Sequence, residues 1–254
     1  MPRTSIPSPI LEVCCGDLES VVAAKAGGAQ RIELCAALSE GGLTPSAGLI
    51  AEALRQGIAK VHVLIRPRNG DFLYTENEVA VMEHDIRAAV AAGADGVVIG
   101  ALTEDGEIDI PTCRRLVEAA GSASVTFHRA FDLCRNPEKA LEEIIALGCD
   151  RILTSGLAQS ALAGAEMLAS LNRLAAGRIT LLAGGGVNPE NAREIMRITG
   201  LNELHASAKT TTGSRMKFRR EAVNMGEAGK DEYSRHVTNA STVAEIIRAM
   251  NTIQ

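Results

Sequence analysis

The amino-acid sequence predicts a single-domain α/β fold, the (β/α)8 TIM barrel. Three observations support this prediction: eight short apolar runs occur along the chain, helical patterns alternate with them, and capping residues or glycines separate the two. Such alternation is typical of parallel strands joined by helices. An open, doubly wound sheet is the alternative, but eight evenly spaced units in 254 residues fit a closed barrel better.

The strand predictions rest on short aliphatic runs bounded by glycine or polar residues. In chain order they are 10–15 (ILEVCC), 31–35 (RIELC), 60–66 (KVHVLIR), 96–100 (GVVIG), 124–131 (SVTFHRAF), 151–155 (RILTS), 179–184 (ITLLAG) and 203–208 (ELHASA). Residues 1–9 are expected to form an N-terminal tail, and the barrel domain is expected to cover residues 10–254.

Capping residues predict where the helices begin and end. Asp17 is the N-cap candidate of the first helix. Three more candidates precede a proline, a residue suited to the first helical turn: Thr44-Pro45, Asn136-Pro137 and Asn188-Pro189. Glycines stand where four helices are expected to stop, at Gly93, Gly121, Gly148 and Gly177. The last helical pattern covers residues 240–250.

Two long connections interrupt the regular repeat. One is a loop over residues 66–78 after the third strand, and the other is a polar segment over residues 209–235 after the eighth. Both follow the carboxyl ends of strands, the face that carries the active site in barrels of this type. We therefore expect any functional cleft to lie beside them.

Composition and charge argue against nucleic acid as a partner. The formal net charge is −5, and the densest basic group is Lys217, Arg219 and Arg220. Aromatic residues make up 2% of the chain, which leaves few platforms on which bases could stack.

The location is expected to be cytoplasmic. The first residues, MPRTSIPSPILEV, contain three prolines and lack the apolar core of a signal peptide. No apolar stretch is long enough to cross a bilayer, so a membrane is not expected as a partner. The six cysteines form no paired CxxC motifs, which fits a reducing compartment with free thiols.

Strand alternation predicts an unusually polar barrel interior. In RIELC, Ile32 and Leu34 are expected to face the helices, so Glu33 and Cys35 face inward. The same reasoning places these side chains inside: Glu12, Cys14, Glu33, Cys35, His62, Arg66, Thr126, His128, Ser155, His205 and Ser207. Buried charges need partners, so a structural network among the carboxylates, arginine and histidine is one interpretation. For the inward-facing residues at the strand ends, a functional role is the stronger interpretation.

Cys14 and Cys35 are candidate metal ligands. They end adjacent parallel strands and face the same way, and two thiolates suit a soft monovalent ion such as Cu(I). Zinc would require four ligands. Free cysteines are also common in protein cores, so an ordinary structural role stays open on spacing alone.

A second candidate is an anion site at Gly185, Gly186 and Lys209. The glycines follow the seventh strand and the lysine follows the eighth. Loops in these two places commonly bind phosphate in barrels. The alternative is that the glycines only permit a tight turn.

A third candidate is acid–base catalysis at the strand ends. His128 would act as the acid or base, Arg66 and Arg129 would hold an anion, and Glu33 would be a partner. Asp132 and Ser155 complete the group of candidate catalytic residues. A hydrogen-bonded structural histidine is an equally good interpretation.

Nine motifs, taken together, resemble the CutC family, which is associated with copper homeostasis. They are LEVCC, RIELCAALSEGGLTPS, IRPRNGDFLY, VTFHRAFD, RILTSG, AGGG, HASA, MKFR and DEYSR. They occur in order from about residue 10 to residue 250, essentially along the whole chain. One departure is Asn69, where the family usually has glycine.

The resemblance implies a cytoplasmic TIM barrel that forms homodimers or higher homo-oligomers. It also implies a Cu(I) site at Cys14 and Cys35. It attaches no firm enzymatic reaction to the fold. The alternative function is therefore that of a barrel enzyme acting on a small phosphorylated or carboxylated metabolite, whose mouth holds the arginines and histidine named above.

Overall fold

Eight parallel strands close into a barrel in chain order, as the sequence predicts. The computed structural model describes residues 8–58, 60–220, 222–223, 225 and 231–252. The barrel strands are β1 Ile10–Cys15, β2 Arg31–Leu34, β3 Val61–Leu64, β4 Gly96–Ile99, β5 Ser124–Phe127, β6 Arg151–Thr154, β7 Thr180–Gly184 and β8 Glu203–Ala206. β1 pairs with both β2 and β8, and this pairing closes the barrel.

Helices cover the outside of the barrel, and all but the last of those described connect successive strands. They are α1 Leu18–Ala26, α2 Ala47–Arg55, α3 Glu76–Ala92, α4 Ile110–Ala120, α5 Pro137–Ala146, α6 Ala165–Ala175, α7 Ala192–Thr199 and α8 Ala240–Asn251. Within the described ranges, no helix combines the length and apolar character that a membrane crossing requires.

Two of the predicted N-caps are confirmed. The side chain of Asp17 accepts a hydrogen bond from the Ser20 N–H at the start of α1. Asn136 caps α5 in the same way, with Pro137 as the first helical residue. These ends are determined by local sequence, which is why they could be predicted.

The other two predicted caps are wrong. Ser46 caps α2, because Thr44 instead hydrogen-bonds through its hydroxyl to the backbone of Arg66. The side chain of Asn188 accepts from two backbone N–H groups further along and forms a turn, so α7 begins only at Ala192. In both cases a side chain that can cap a helix bonds elsewhere.

The two long connections differ from their predicted form. The first is shorter than predicted, because Thr75 caps α3 and the helix already begins at Glu76. The polar segment after β8 contains an antiparallel pair, β9 Lys209–Gly213 and β10 Ser234–Thr238. No strand pattern in the sequence predicts this pair. Part of the segment lies outside the described residues.

Strand alternation sorts the buried side chains into two groups. Outward-facing residues such as Cys15, Ile32 and Leu34 join the large apolar core between strands and helices. Cys14 and Cys35 instead form a small interior cluster with Leu64 and Val98. The two strands therefore direct the two thiols into the barrel, towards the same point.

Candidate functional site

A layer of buried ion pairs occupies the N-terminal end of the barrel. Arg31 donates to Glu12 and, over 2.5 Å, to Glu203, and Arg151 reaches Glu203 at 3.2 Å. Burial alone would raise the pKa of Glu12, but the hydrogen bond from His205 and the charge of Arg31 hold it well below 4.5. Glu12 is therefore a fully buried carboxylate that keeps its charge.

The thiols form the next layer towards the mouth. The Sγ atoms of Cys14 and Cys35 are 3.5 Å apart, and the Cys14 thiol donates to Glu33 Oε2 over 3.1 Å. The hydrogen bond with Cys35, burial and the charge of Glu33 raise the pKa of the Cys14 thiol well above 9.0. Burial also raises the pKa of Glu33 above 4.5. Cys14 is therefore a protonated thiol at neutral pH.

His205 connects the ion-pair layer with the thiol layer. Burial alone would lower its pKa, but hydrogen bonds to Cys14 and Glu12 and the nearby carboxylates raise the pKa well above 6.5. His205 Nδ1 lies 2.8 Å from Glu12 Oε1, and Nε2 lies 3.8 Å from Glu33 Oε2. Ligand atoms of Cys14, Glu33 and His205 all lie within 4.8 Å of one another, a spacing that could hold a metal ion.

Arg66 lies at the barrel mouth, where its guanidinium bonds mainly to backbone. Its guanidinium donates to three carbonyl oxygens, those of Glu40, Gly42 and Gly70, at 2.6 to 3.1 Å. The guanidinium also lies over the Phe72 ring, 4.9 Å from its centroid. These contacts hold the loop between β3 and α3 against the barrel mouth. Most of the donors of Arg66 are thus engaged within the fold.

His128 is a buried, neutral ring at the end of β5. The chain leaves the predicted strand there and turns into a 3-10 helix, Arg129–Leu133, and the Ala130 N–H donates to His128 Nδ1 over 3.2 Å. Burial and then the charge of Arg66 lower the pKa of His128 to about 3. With Nδ1 accepting, the proton of the neutral ring lies on Nε2. These features favour a hydrogen-bond donor over the predicted acid or base.

Asp132 anchors the loop after β6. Its carboxylate accepts from the backbone N–H groups of Ser155 and Leu157 and from the Thr154 hydroxyl. Arg129 donates to it from Nε over 2.7 Å and to Ser155 Oγ from Nη2 over 3.0 Å. The structure thus brings together three of the predicted catalytic candidates, in a loop-fixing network.

Among the cavities at the carboxyl ends of the strands, two contain candidate site residues. The outer cavity, of about 270 Å³, is lined by Gly185, Gly186, Lys209, Arg129 and others. The inner cavity, of about 130 Å³, is lined by Glu33, Arg66, Phe72, His128 and others. Cys14, Arg129 and His205 line both, so the two cavities share one mouth. Cys35, Asp132 and Ser155 line neither of the two.

The sequence analysis does not identify several residues of the site or their roles. Arg31 and Glu203 precede Glu33 and His205 by two residues, so the same alternation could have placed them inside. Alternation places His205 in the interior, but no spacing in the sequence marks it as a candidate ligand. Phe72 lies in a loop, where no periodic pattern indicates the direction of a side chain.

Comparison with known proteins identifies the family. A model of the CutC family matches residues 9–210, well over half of the chain. The chain belongs to the CutC family. The CutC family protein of Chromobacterium violaceum is 49% identical over 242 residues, covering 95% of this chain and 98% of that protein. The CutC family protein of Bacteroides thetaiotaomicron is 52% identical over 241 residues, covering 94% of this chain and 97% of that protein.

Solved structures agree with this assignment. A CutC chain from Streptococcus agalactiae, whose name refers to copper homeostasis, has a TM-score of 0.75 and 34% sequence identity. The match covers 78% of this chain and 98% of that one. A thiamine phosphate pyrophosphorylase from Pyrococcus furiosus has a TM-score of 0.59 at 17% identity, a likeness that shows the barrel fold alone. The CutC assignment therefore rests on both sequence and structure.

Proposed function

We propose that this CutC protein takes part in copper homeostasis by binding Cu(I) through Cys14 and Cys35. The observation that carries the proposal is the 3.5 Å separation of the two Sγ atoms inside the barrel. Soft thiolate ligands favour Cu(I), and two of them suffice for a monovalent ion. The name of the related Streptococcus agalactiae structure, which refers to copper homeostasis, supports the same choice of metal.

His205 is proposed as a third ligand. Its Nδ1 bonds to Glu12, which orients the ring and directs Nε2 towards Glu33. Metal ligation requires that His205 lose a proton and that the thiols become thiolates, so binding releases protons. Glu33, which accepts from the Cys14 thiol, is placed to receive one of them.

Cu(I) is favoured over Zn(II) by the arrangement of the donors. Zinc sites require four ligands arranged tetrahedrally around one point. Here Cys14, Glu33 and His205 form one close group, and Cys35 lies outside it, although it contacts Cys14. A pair of thiols with one histidine suits the lower coordination numbers of Cu(I) better than it suits zinc.

Anaerobic titration of Cu(I) against a chromophoric chelator tests the proposal. Wild-type protein is expected to bind one Cu(I) per chain. Cys14→Ser and Cys35→Ser are each expected to weaken binding by more than about 100-fold, because removing a direct ligand exceeds the 10- to 100-fold effect of an outer partner. Zn(II) at the same concentration is expected to displace little Cu(I).

Cys15→Ser is the matched control. Cys15 is as buried as its neighbour but faces the helix layer rather than the interior. Its replacement should leave Cu(I) affinity unchanged, provided that circular dichroism shows a folded barrel for every variant. Equal binding by wild type and Cys14→Ser would contradict the proposal.

A cytoplasmic location and homo-oligomeric assembly are part of the same proposal. All six cysteines are free thiols in the structure, as a reducing compartment would maintain them. Assembly into a homodimer or higher oligomer stays a prediction from the family resemblance. Cell fractionation and sedimentation of the purified protein test the two statements separately.

A further inference from the structure

Basic side chains line the outer cavity. Lys209 and Arg129 line it together with His205 and His236. Within the part of the chain that the structure describes, no aspartate or glutamate contributes to this lining. The Lys209 side chain also forms no ion pair among the described residues. Arg129 pairs with Asp132 and His205 pairs with Glu12, so Lys209 is the lining cation whose charge can attract an anion.

Two glycines shape one wall of the outer cavity. Gly185 and Gly186 have φ angles of +101° and +73°, which other residues rarely adopt. A Cβ on Gly185 would lie 3.7 Å from Arg129 Nη1, so a side chain there would fill the space beside the guanidinium. Among the described residues, the backbone N–H groups of both glycines donate no hydrogen bond. Both glycines line the outer cavity together with Arg129.

Arg129 is held in place while one of its nitrogens stays available. Nε is bonded to Asp132 and Nη2 to Ser155, and the side chain is 46% exposed. No bond from Nη1 occurs within the described ranges. Asp132 is buried behind the arginine and already accepts from several backbone and hydroxyl donors. The arginine therefore presents a fixed, outward-facing donor.

His128 supplies a further donor, in the inner cavity. The ring is only 5% exposed, and its Nε2 has no hydrogen-bond partner among the described residues. A buried donor without an acceptor is unfavourable, and a ligand oxygen would satisfy it. Nε2 has almost no exposed surface, so an oxygen reaches it only when a neighbour such as Phe72, whose ring centroid is 4.9 Å away, shifts.

We infer that the barrel mouth binds a small organic phosphate. The phosphate lies in the outer cavity on Lys209, Arg129 Nη1 and the N–H groups of Gly185 and Gly186. A carbonyl or hydroxyl oxygen of the same molecule extends into the inner cavity towards His128. This site is separate from the proposed Cu(I) ligation, although Cys14 and His205 line the mouth that both ligands share.

Calorimetric titration of metal-free protein with inorganic phosphate and with glycerol 3-phosphate tests the inference. Sodium chloride at matched ionic strength controls for screening. Both probes are expected to bind saturably, and glycerol 3-phosphate more tightly because it also reaches the inner cavity. Lys209→Gln is expected to weaken binding about tenfold, the effect of losing one charge-assisted hydrogen bond.

Two variants serve as controls. Lys209→Arg keeps the charge and should retain most of the affinity. Lys217→Gln removes the same charge from an exposed residue outside both cavities, and should bind like wild type. The inference is overturned if wild type binds neither probe, if Lys209→Gln binds as wild type does, or if Lys217→Gln is weakened equally.

The outcome is distinguishable from that of the copper experiment. Cys35→Ser should keep phosphate affinity while losing Cu(I), because Cys35 lines neither cavity, and Lys209→Gln should keep Cu(I) while losing phosphate affinity. Nitrogen NMR reports the inner contact, because the Nε2–H signal of His128 should shift with glycerol 3-phosphate but not with inorganic phosphate. An unchanged His128 signal with both probes would refute the contact between His128 and an oxygen of the ligand.

Discussion

Replacing Arg31 by methionine should reveal what the buried ion-pair layer contributes to stability. Arg31 is 3% exposed and bridges Glu12 and Glu203. Methionine keeps much of the side-chain volume but leaves two buried carboxylates without their shared cation. Removing one partner from a buried pair typically costs about 3–5 kcal/mol. Because Arg151 and His205 still contact these carboxylates, we expect the lower end, about 3 kcal/mol.

The unfolding free energy lost in Arg31→Met should be larger at neutral pH than in acid. The pKa of Glu12 in the folded protein lies below its ordinary value of 4.5. Its ion pair therefore contributes stability above pH 4.5, and this contribution is lost as the pH falls towards the folded-state pKa. The difference between wild type and Arg31→Met should be largest near pH 7 and should shrink below pH 4.5, where the unpaired carboxylates become protonated.

Urea unfolding followed by circular dichroism at pH 7 and pH 4 measures both effects. Arg55→Met is the matched control, since Arg55 is 76% exposed and, among the described residues, forms an ion pair with Glu52 alone on the surface of α2. Surface pairs contribute little, so this variant should unfold almost as wild type does. A difference below about 1 kcal/mol for Arg31→Met at pH 7, or one that grows in acid, would refute the reasoning.

Two further substitutions test the loops at the mouth. Arg66→Lys should loosen the loop between β3 and α3, because one ammonium nitrogen cannot take the places of both Nη1 and Nη2, which reach carbonyls of different loops. Faster amide exchange over residues 66–75 is the expected result, and unchanged exchange would contradict it. Gly164→Ala should destabilise the loop after β6, because its Cβ would lie 2.0 Å from the Ser155 carbonyl oxygen. We expect a loss of about 1–3 kcal/mol in urea unfolding, and a neutral result would count against so close an approach of the two backbones.

The barrel and its polar interior could be predicted because both follow from regular alternation. Every second residue of a strand faces inward, so Cys14, Glu33 and His205 could be placed inside from sequence alone. The contact between the Cys14 and Cys35 thiols depends in addition on strand register. β1 and β2 are neighbours along the chain, which made the pairing of these two strands the simplest prediction.

The loops could not be predicted in the same way. The hydroxyl of Thr44 has two possible roles, a helix cap or a bond to another loop, and only the folded position of Arg66 decides between them. The pair of β9 and β10 lacks a continuous apolar pattern, since KTTTG is polar throughout. Phe72 reaches His128 from a loop whose path depends on long-range contacts. Tertiary contacts thus determine the loop conformations and side-chain directions that local sequence does not determine.

The ion-pair layer also closes one end of the barrel interior. Glu12, Arg31 and Glu203 are nearly inaccessible and block the end opposite the mouth, so the thiols can be reached from one side only. The Cu(I) ion proposed above would therefore enter and leave by the same route. In that proposal the loops around the mouth control access to Cys14, and flow through the barrel plays no part.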